Sequence, residues 1–351
     1  MAYTTINKST DYFNTKLYTG NGGTNAITGV GFQPDLVWGK SRSDTFDHFL
    51  LDAVRGTTKI ISSNTNVAES TQTGSITAFD TDGFTLGSGN PYNKSSDNYA
   101  SWNWKAGGGQ GSSNTDGSIN TTYTSVSTIS GVSISKYTGT GSNATVGHGL
   151  GVAPKMILIK RLSANDNWIV YHNSLGGTKN LYLDANNAEA TRSDTFNNTA
   201  PTSSVFSLGS ATGTNGSGST YIAYCFAEKT GYSKFGKYTG NGNADGTFVY
   251  TGFKPSWLMI KQTNSTENWH IFDIKRNPYY PTSSSYGGMA TRLMANLNSA
   301  DDLSQGGFEF LSNGLKMTTS WAGGNGSGDT FIYMCFGQSL VGSNNVPCTA
   351  R

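Results

Sequence analysis

The sequence repeats itself three times, and any fold must accommodate that. Tyr18-Thr-Gly-Asn-Gly22 recurs as Tyr137-Thr-Gly-Thr-Gly141 and as Tyr238-Thr-Gly-Asn-Gly242. Sixteen or seventeen residues later stands a proline (Pro34, Pro154, Pro255), and six positions beyond it a lysine closes an apolar stretch (Lys40, Lys160, Lys261). Eight residues further, His48, Trp168 and Trp269 open short apolar runs that end at Asp52, His172 and Asp273. Asn66, Asn186 and Asn298 follow, each with an alanine and then an acid after it (Glu69, Glu189, Asp301). Next come Phe84-Thr-Leu86, Phe206-Ser-Leu208 and Phe308-Glu-Phe310. Each copy closes on Tyr99–Trp104, Tyr221–Phe226 or Phe331–Phe336. Seven landmarks in one order establish three copies of a unit of about 100 residues, a typical domain size.

The residue types predict strands. Forty-five glycines sit among abundant Ser, Thr and Asn, only 13% of residues are charged and 12% are aromatic. β-branched and aromatic side chains suit a pleated surface, and Gly and Asn supply positive-φ turn positions. No stretch sustains a helical period, so any helix is expected to be short. The expected fold is all-β, with three tandem β-sandwich or jelly-roll (concanavalin-like) modules. The boundaries are an N-terminal arm over 1–15, copies over 16–106, 135–229 and 230–351, and a Gly/Ser/Thr-rich linker over 107–134. That long linker predicts a hinge beside the first copy, although its Thr/Ser/Val half could add a strand. The closing strands place Trp102 and Trp104, Tyr224 and Phe226, and Met334 and Phe336 on one face. Met156–Ile159 and Trp257–Ile260 are apolar at every position, which implies burial on both faces by a loop, a neighbouring copy or another subunit. A homo-oligomer is therefore expected.

A formal net charge of +2 without a basic run gives no electrostatic footprint for nucleic acid or an acidic membrane, and membrane insertion is not expected. Cys225 and Cys335 lie in apolar runs, and an odd count of three cysteines is not a disulfide framework. The start carries no signal-peptide pattern, so folding in a reducing cytoplasm is expected.

No catalytic residues are predicted and no cofactor is implied. None of His48, His148, His172 and His270 has a nucleophile or metal-ligand partner at informative spacing. Asp80-Thr-Asp82-Gly83 opens like a calcium loop but lacks the later ligands; a turn begun by Asp explains it. The Gly-rich strings at 107–111 and 323–326 lack a following Lys-Ser and read as turns. The recurring asparagines suit Asx-type turn bonds better than sugar hydroxyls. One departure stands out. From Asp52 to Asn66 and from His172 to Asn186 is 14 residues, but from Asp273 to Asn298 is 25. The eleven-residue insertion runs through Arg276, Tyr279, Tyr280 and Tyr286, with Arg292 nearby. Tyr with Ser and Gly is the chemistry of adaptable recognition surfaces, so these five residues are the candidate binding or subunit contact.

The run from Tyr3 to Gly22, the segment Val146-Gly-His-Gly-Leu-Gly-Val-Ala-Pro-Lys155 and the segment Tyr232–Gly242 resemble repeat-containing virion structural proteins of marine tailed bacteriophages. The resemblance covers essentially the whole chain. It implies a surface protein of the particle, tail-fibre-like or lectin-like, assembled in the host bacterial cytoplasm among other virion proteins. It supplies no catalytic residue. The expected function is thus a non-enzymatic virion structural protein, a tail adhesin, short fibre or capsid decoration, with host surface glycan as a partner. The alternative is a carbohydrate-binding module or polysaccharide depolymerase, which would need two carboxylates ~5 to 9.5 Å apart. A third reading is internal glue between capsomers.

Overall fold

Each closing strand pairs on one side with the strand that begins its copy and on the other with the strand after the proline. In a computed structural model, which describes residues 4–277, 289–304 and 306–341, this gives the order Phe13–Thr19, Asn98–Trp104, Leu36–Ser41, Phe49–Asp52 in the first copy. The same antiparallel order recurs as Val132–Thr138, Thr220–Phe226, Met156–Arg161, Ile169–His172 and as Ser233–Thr239, Thr330–Gln338, Lys254–Gln262, Trp269–Asp273. A smaller sheet lies over each: Asn25–Thr28 with Gly83–Leu86 and Ile76–Asp80, Ala144–Gly147 with Val205–Leu208, and Phe248–Tyr250 with Gly314–Met317 and Phe308–Leu311. The fold is all-β and β-sandwich-like; the helices among the described residues are single turns such as Thr212–Asn215.

Strand alternation explains the fully apolar runs. Val37, Phe49, Leu51 and Tyr99 turn toward Ile27, Phe84 and Leu86 of the small sheet, and the second and third copies have matching clusters. The opposite faces meet in one cluster drawn from all three copies. It holds Trp38, Trp102 and Trp104, then Met156, Leu158, Tyr224 and Phe226, then Trp257, Met259, Met334 and Phe336. Phe13 and Phe336 stack at its centre with ring centroids 5.0 Å apart, and Trp104 and Trp257 meet edge to face at 5.7 Å. Both faces of each large sheet are therefore covered within one chain. The two-sided burial that suggested an oligomer is satisfied by the neighbouring copies.

The repeated turn has a repeated anchor. Tyr18, Tyr137 and Tyr238 stack on Tyr99, Tyr221 and Phe331 at 4.9, 5.2 and 5.0 Å. Their hydroxyls donate to the carbonyls of Tyr92, Thr214 and Gly324. One residue past each of these carbonyls sits a buried asparagine, Asn93, Asn215 or Asn325. Its Oδ1 accepts the backbone N–H of Asn21, Thr140 or Asn241, and its Nδ2 donates to the carbonyl of Gly87, Gly209 or Thr319. These asparagines, not Asn66, Asn186 and Asn298, tie the Gly-rich turn to the closing strand. Pro255 lies inside its strand, at a register shift between Pro255 and Trp257, where a missing N–H is tolerated.

Two boundary expectations are corrected. Within 107–134, Tyr123–Ser127 pairs with Val132–Thr138, and Ile119 is buried in a parallel bridge to Val146. The Asp35 carboxylate accepts the N–H groups of Ala106, Gly108 and Gly109, fixing where this segment leaves the first copy. The segment is folded onto both copies and offers no hinge. Residues 4–15 are likewise no free arm: Ile6 is buried in the common cluster, and the Ser9 N–H donates to Gln338 Oε1 at 2.6 Å, joining the start of the chain to the end of its last strand.

Replacing Asn215 with Ala strips partners from the Thr140 N–H and from the carbonyls of Ser142 and Gly209. At ~1–3 kcal/mol for a buried group left unpaired, denaturant unfolding should show a loss of about 2–4 kcal/mol. Exposed Asn186→Ala should stay within about 0.5 kcal/mol.

Candidate functional site

The polar groups that recur at matched positions go into the seams between copies, and they run in cyclic order. Trp168 Nε1 donates to the Ser62 carbonyl of the first copy, and Trp269 Nε1 to the Tyr182 carbonyl of the second. At the matching place His48 Nε2 meets the Met294 carbonyl of the third at 3.1 Å. Trp38 Nε1 donates to His48 Nδ1 at 2.9 Å, so the proton resides on Nε2. Lys160 and Lys261 reach the carbonyls of Asn66 and Asn186 across the first two seams, while Lys40 caps Ser41 and Asp44 within its own copy. All three lysines are fully buried, and burial lowers each ammonium to about 8. Across the third seam Arg42 pairs with Asp301 at 2.6 Å.

Arg276 belongs to this architecture. Its guanidinium is fully buried, bound to Asp273 at 2.6 Å, to Asp301 at 2.9 Å and to the Ile271 carbonyl. Asp273 also accepts from Trp102 Nε1 of the first copy. Arg55 repeats the pattern with Asp52, Glu69 and the Leu50 carbonyl, and Asp52 accepts from Tyr224 of the second copy. The second copy substitutes His172 and Leu175, and His172 Nε2 meets the Tyr333 carbonyl of the third. Arg276 is therefore no partner contact but half of a buried seam pair. The Asp-x-x-Arg spacing shared by 52–55 and 273–276 was the sequence signal for it.

Arg292 lies where the third copy departs from the other two. Its Nε and Nη2 bind Asp302 at 3.0 and 2.7 Å, and its guanidinium sits 4.8 Å from the centroid of Trp321. His270 packs on the same indole at 4.7 Å, and its Nε2 meets Glu267 at 3.2 Å. Burial lowers the His270 pKa, against the pull of Glu267, so the ring is neutral near pH 7. The first copy carries Phe49, Ile60 and Gly89 at the positions of His270, Arg292 and Trp321, and the second carries Ile169, Asn180 and Ala211. Uncharged residues thus suffice for the fold there. The charged groups are mutually paired around a partly exposed indole, and Arg292 itself is buried. Beside it Asn277 and Thr291 clasp the base of the eleven-residue insertion through two hydrogen bonds. Tyr279, Tyr280 and Tyr286 lie outside the described residues.

The remaining sequence candidates have structural duties. Asp82 accepts from the N–H groups of Gly31 and Gly29, which hold its carboxyl below the usual range, and Asp80 accepts from Thr85. Among the described residues no group of three or more His, Cys, Asp or Glu is placed to hold a metal ion. Cys225 and Cys335 are buried free thiols whose pKa burial pushes up. No helix among the described residues is long and apolar enough to cross a membrane.

Two measurements test these seams. Arg276→Leu leaves the buried Asp273 carboxylate without its cation and should cost about 3–5 kcal/mol in denaturant unfolding. Asp273→His/Arg276→Leu installs the second copy's own solution and should recover much of that loss. The second test is pH. Burial foremost lowers His48 to about 3 and His172 to about 4 from 6.5, so the stability tied to their neutral forms is complete above 6.5 and lost as pH falls toward those values. Asp184, raised to about 6 mainly by burial, works the other way and favours the fold at low pH. Thermal melts should therefore fall between pH 6.5 and 4, and His48→Gln/His172→Gln should flatten the fall.

No curated protein and no solved structure matches the chain. A family model for a domain of unknown function, DUF7483, matches residues 8–339, taking in all three copies as one unit. The chain belongs to the DUF7483 family of domains of unknown function.

Proposed function

We infer that the chain is a non-enzymatic structural protein on the surface of a bacteriophage virion, a tail adhesin, short fibre or capsid decoration that binds host surface glycan. In this reading each copy is a sandwich module of jelly-roll type, and the three form one rigid scaffold. The observation that carries it is the distribution of polar chemistry. Groups shared by the copies are spent on turns and seams, whereas groups peculiar to one copy, such as Arg292 and Trp321, are tied to one another and take no part in a seam. The resemblance of Tyr3–Gly22, Val146–Lys155 and Tyr232–Gly242 to virion proteins supplies the setting. Weak single contacts are sufficient on a particle, because linked copies raise avidity ~10²- to 10⁴-fold.

Gold-labelled antibody against the protein, applied to purified particles and viewed by electron microscopy, should decorate a defined part of the virion. Unlabelled particles would refute the assignment.

A further inference from the structure

The small sheet of the third copy has an outer face that the other two copies lack. Along Phe248–Tyr250 the burial alternates: Val249 is buried in the sandwich, while Phe248 and Tyr250 point outward with 45% and 60% of their surface exposed. Register identifies their counterparts. Phe248, Val249 and Tyr250 pair with Lys316, Leu315 and Gly314. Ala26, Ile27 and Thr28 pair with Thr85, Phe84 and Gly83 in the first copy, and Thr145, Val146 and Gly147 pair with Ser207, Phe206 and Val205 in the second. The inward residue stays apolar in all three copies. The flanking pair is Ala and Thr in the first copy, Thr and a Gly147 covered by Asn114 in the second, and two exposed aromatics in the third. The fold does not require them.

Their surroundings narrow what they could bind. The Phe248 ring reaches across to Gly314, where an added Cβ would come within 2.8 Å of two ring atoms, so the ring is seated against the neighbouring strand while 45% of the residue stays exposed. Residues two apart in a strand are about 7 Å apart, which places both aromatics on the same outward face of the sheet. The polar groups at hand are the Tyr250 hydroxyl, Glu309 and Lys316, and Lys316 is paired with Asp245 and stands opposite Glu309. The lysine beside the rings is therefore already paired and offers little to an anionic polymer. It is also too small for a protein partner: about half of two aromatic side chains of ~150–250 Å² each is near 200 Å², against the ~800 Å² per side of a stable interface.

We propose that the Phe248–Tyr250 face is a binding site for a neutral glycan, whose sugar rings stack by their C–H faces on the two aromatics while their hydroxyls meet Tyr250 Oη and Glu309. This gives a place and a ligand class to the glycan binding inferred above and rests on that reading. It is separate from the Arg292–Trp321 cluster.

The test is affinity gel electrophoresis of the full chain through dextran, laminarin and galactomannan, with alginate as the anionic comparison. At least one neutral polymer should retard the protein. Phe248→Ala/Tyr250→Thr, which restores the first copy's residues and should melt as the wild type does, should raise the dissociation constant about tenfold or more, a difference of ~1.4 kcal/mol. Tyr250→Phe keeps the ring and should remain within about threefold. The site is overturned if no neutral polymer retards the protein, if only alginate does, or if the double variant is retarded as strongly as the wild type. Labelled virions with an unretarded protein would discard this site and leave the particle role standing; retardation with unlabelled virions would do the reverse.

Discussion

Everything in this fold depends on a sheet that is apolar on both faces. A single copy buries one face of its large sheet under its own small sheet, and the other face, carrying residues such as Trp102 and Trp104, would stand in water. Exposed apolar patches of that kind are rare in isolated domains and are covered in practice by association. Here the cover is supplied by the same chain. Three such faces meet around Phe13, Trp104, Phe226, Trp257 and Phe336, so the common cluster is made by no copy alone. This ties folding of the copies together and explains why 107–134 and 4–15 are drawn onto the body.

Apolar contact is non-directional, so it cannot by itself choose how three similar faces are arranged. Direction comes from the seam bonds. An indole or imidazole N–H reaches the carbonyl at the same position of the preceding copy in all three seams, at Ser62, Tyr182 and Met294. A misaligned seam would bury these donors, and the lysines and Asp–Arg pairs beside them, without partners, at a cost far above what the pairs contribute when made. The second copy, with His172 and Leu175 in place of an Asp–Arg pair, shows that the chemistry of a seam can change while its geometry persists.

The parts of the fold legible in the sequence were those set by local rules. The repeat, the strands, the short helices, the inward aromatics and the two-sided burial all follow from residue type and period. The parts that were not legible depend on which copy touches which. Nothing in the spacing of Lys160 and Asn66, or of Asp273 and Trp102, announces a contact between copies. Arg276 was read as a loop residue because the insertion follows it, although the matching Arg55 in a copy without the insertion pointed to the seam. Asn93, Asn215 and Asn325 share only a short Asn-x-Ser frame before the closing strand, a weak signal for a buried anchor. The exposed Asn66, Asn186 and Asn298 recur at more regular spacing and mask them.

A closed scaffold of similar copies leaves few places where one copy can change without disturbing the others. Inward positions are bound by the common cluster, and seam positions by a partner that must change too. The free positions are those outside the small sheets and at the loop ends. The third copy has used them repeatedly, with the insertion after Asn277, with Trp321 where the other copies hold Gly89 and Ala211, and with Phe248 and Tyr250 on its outer strand. None of these alters the register of its first strand on its closing strand, which pair as in the other two copies. The symmetry of the chain therefore belongs to its stability, and the third copy carries its departures at positions the scaffold leaves free.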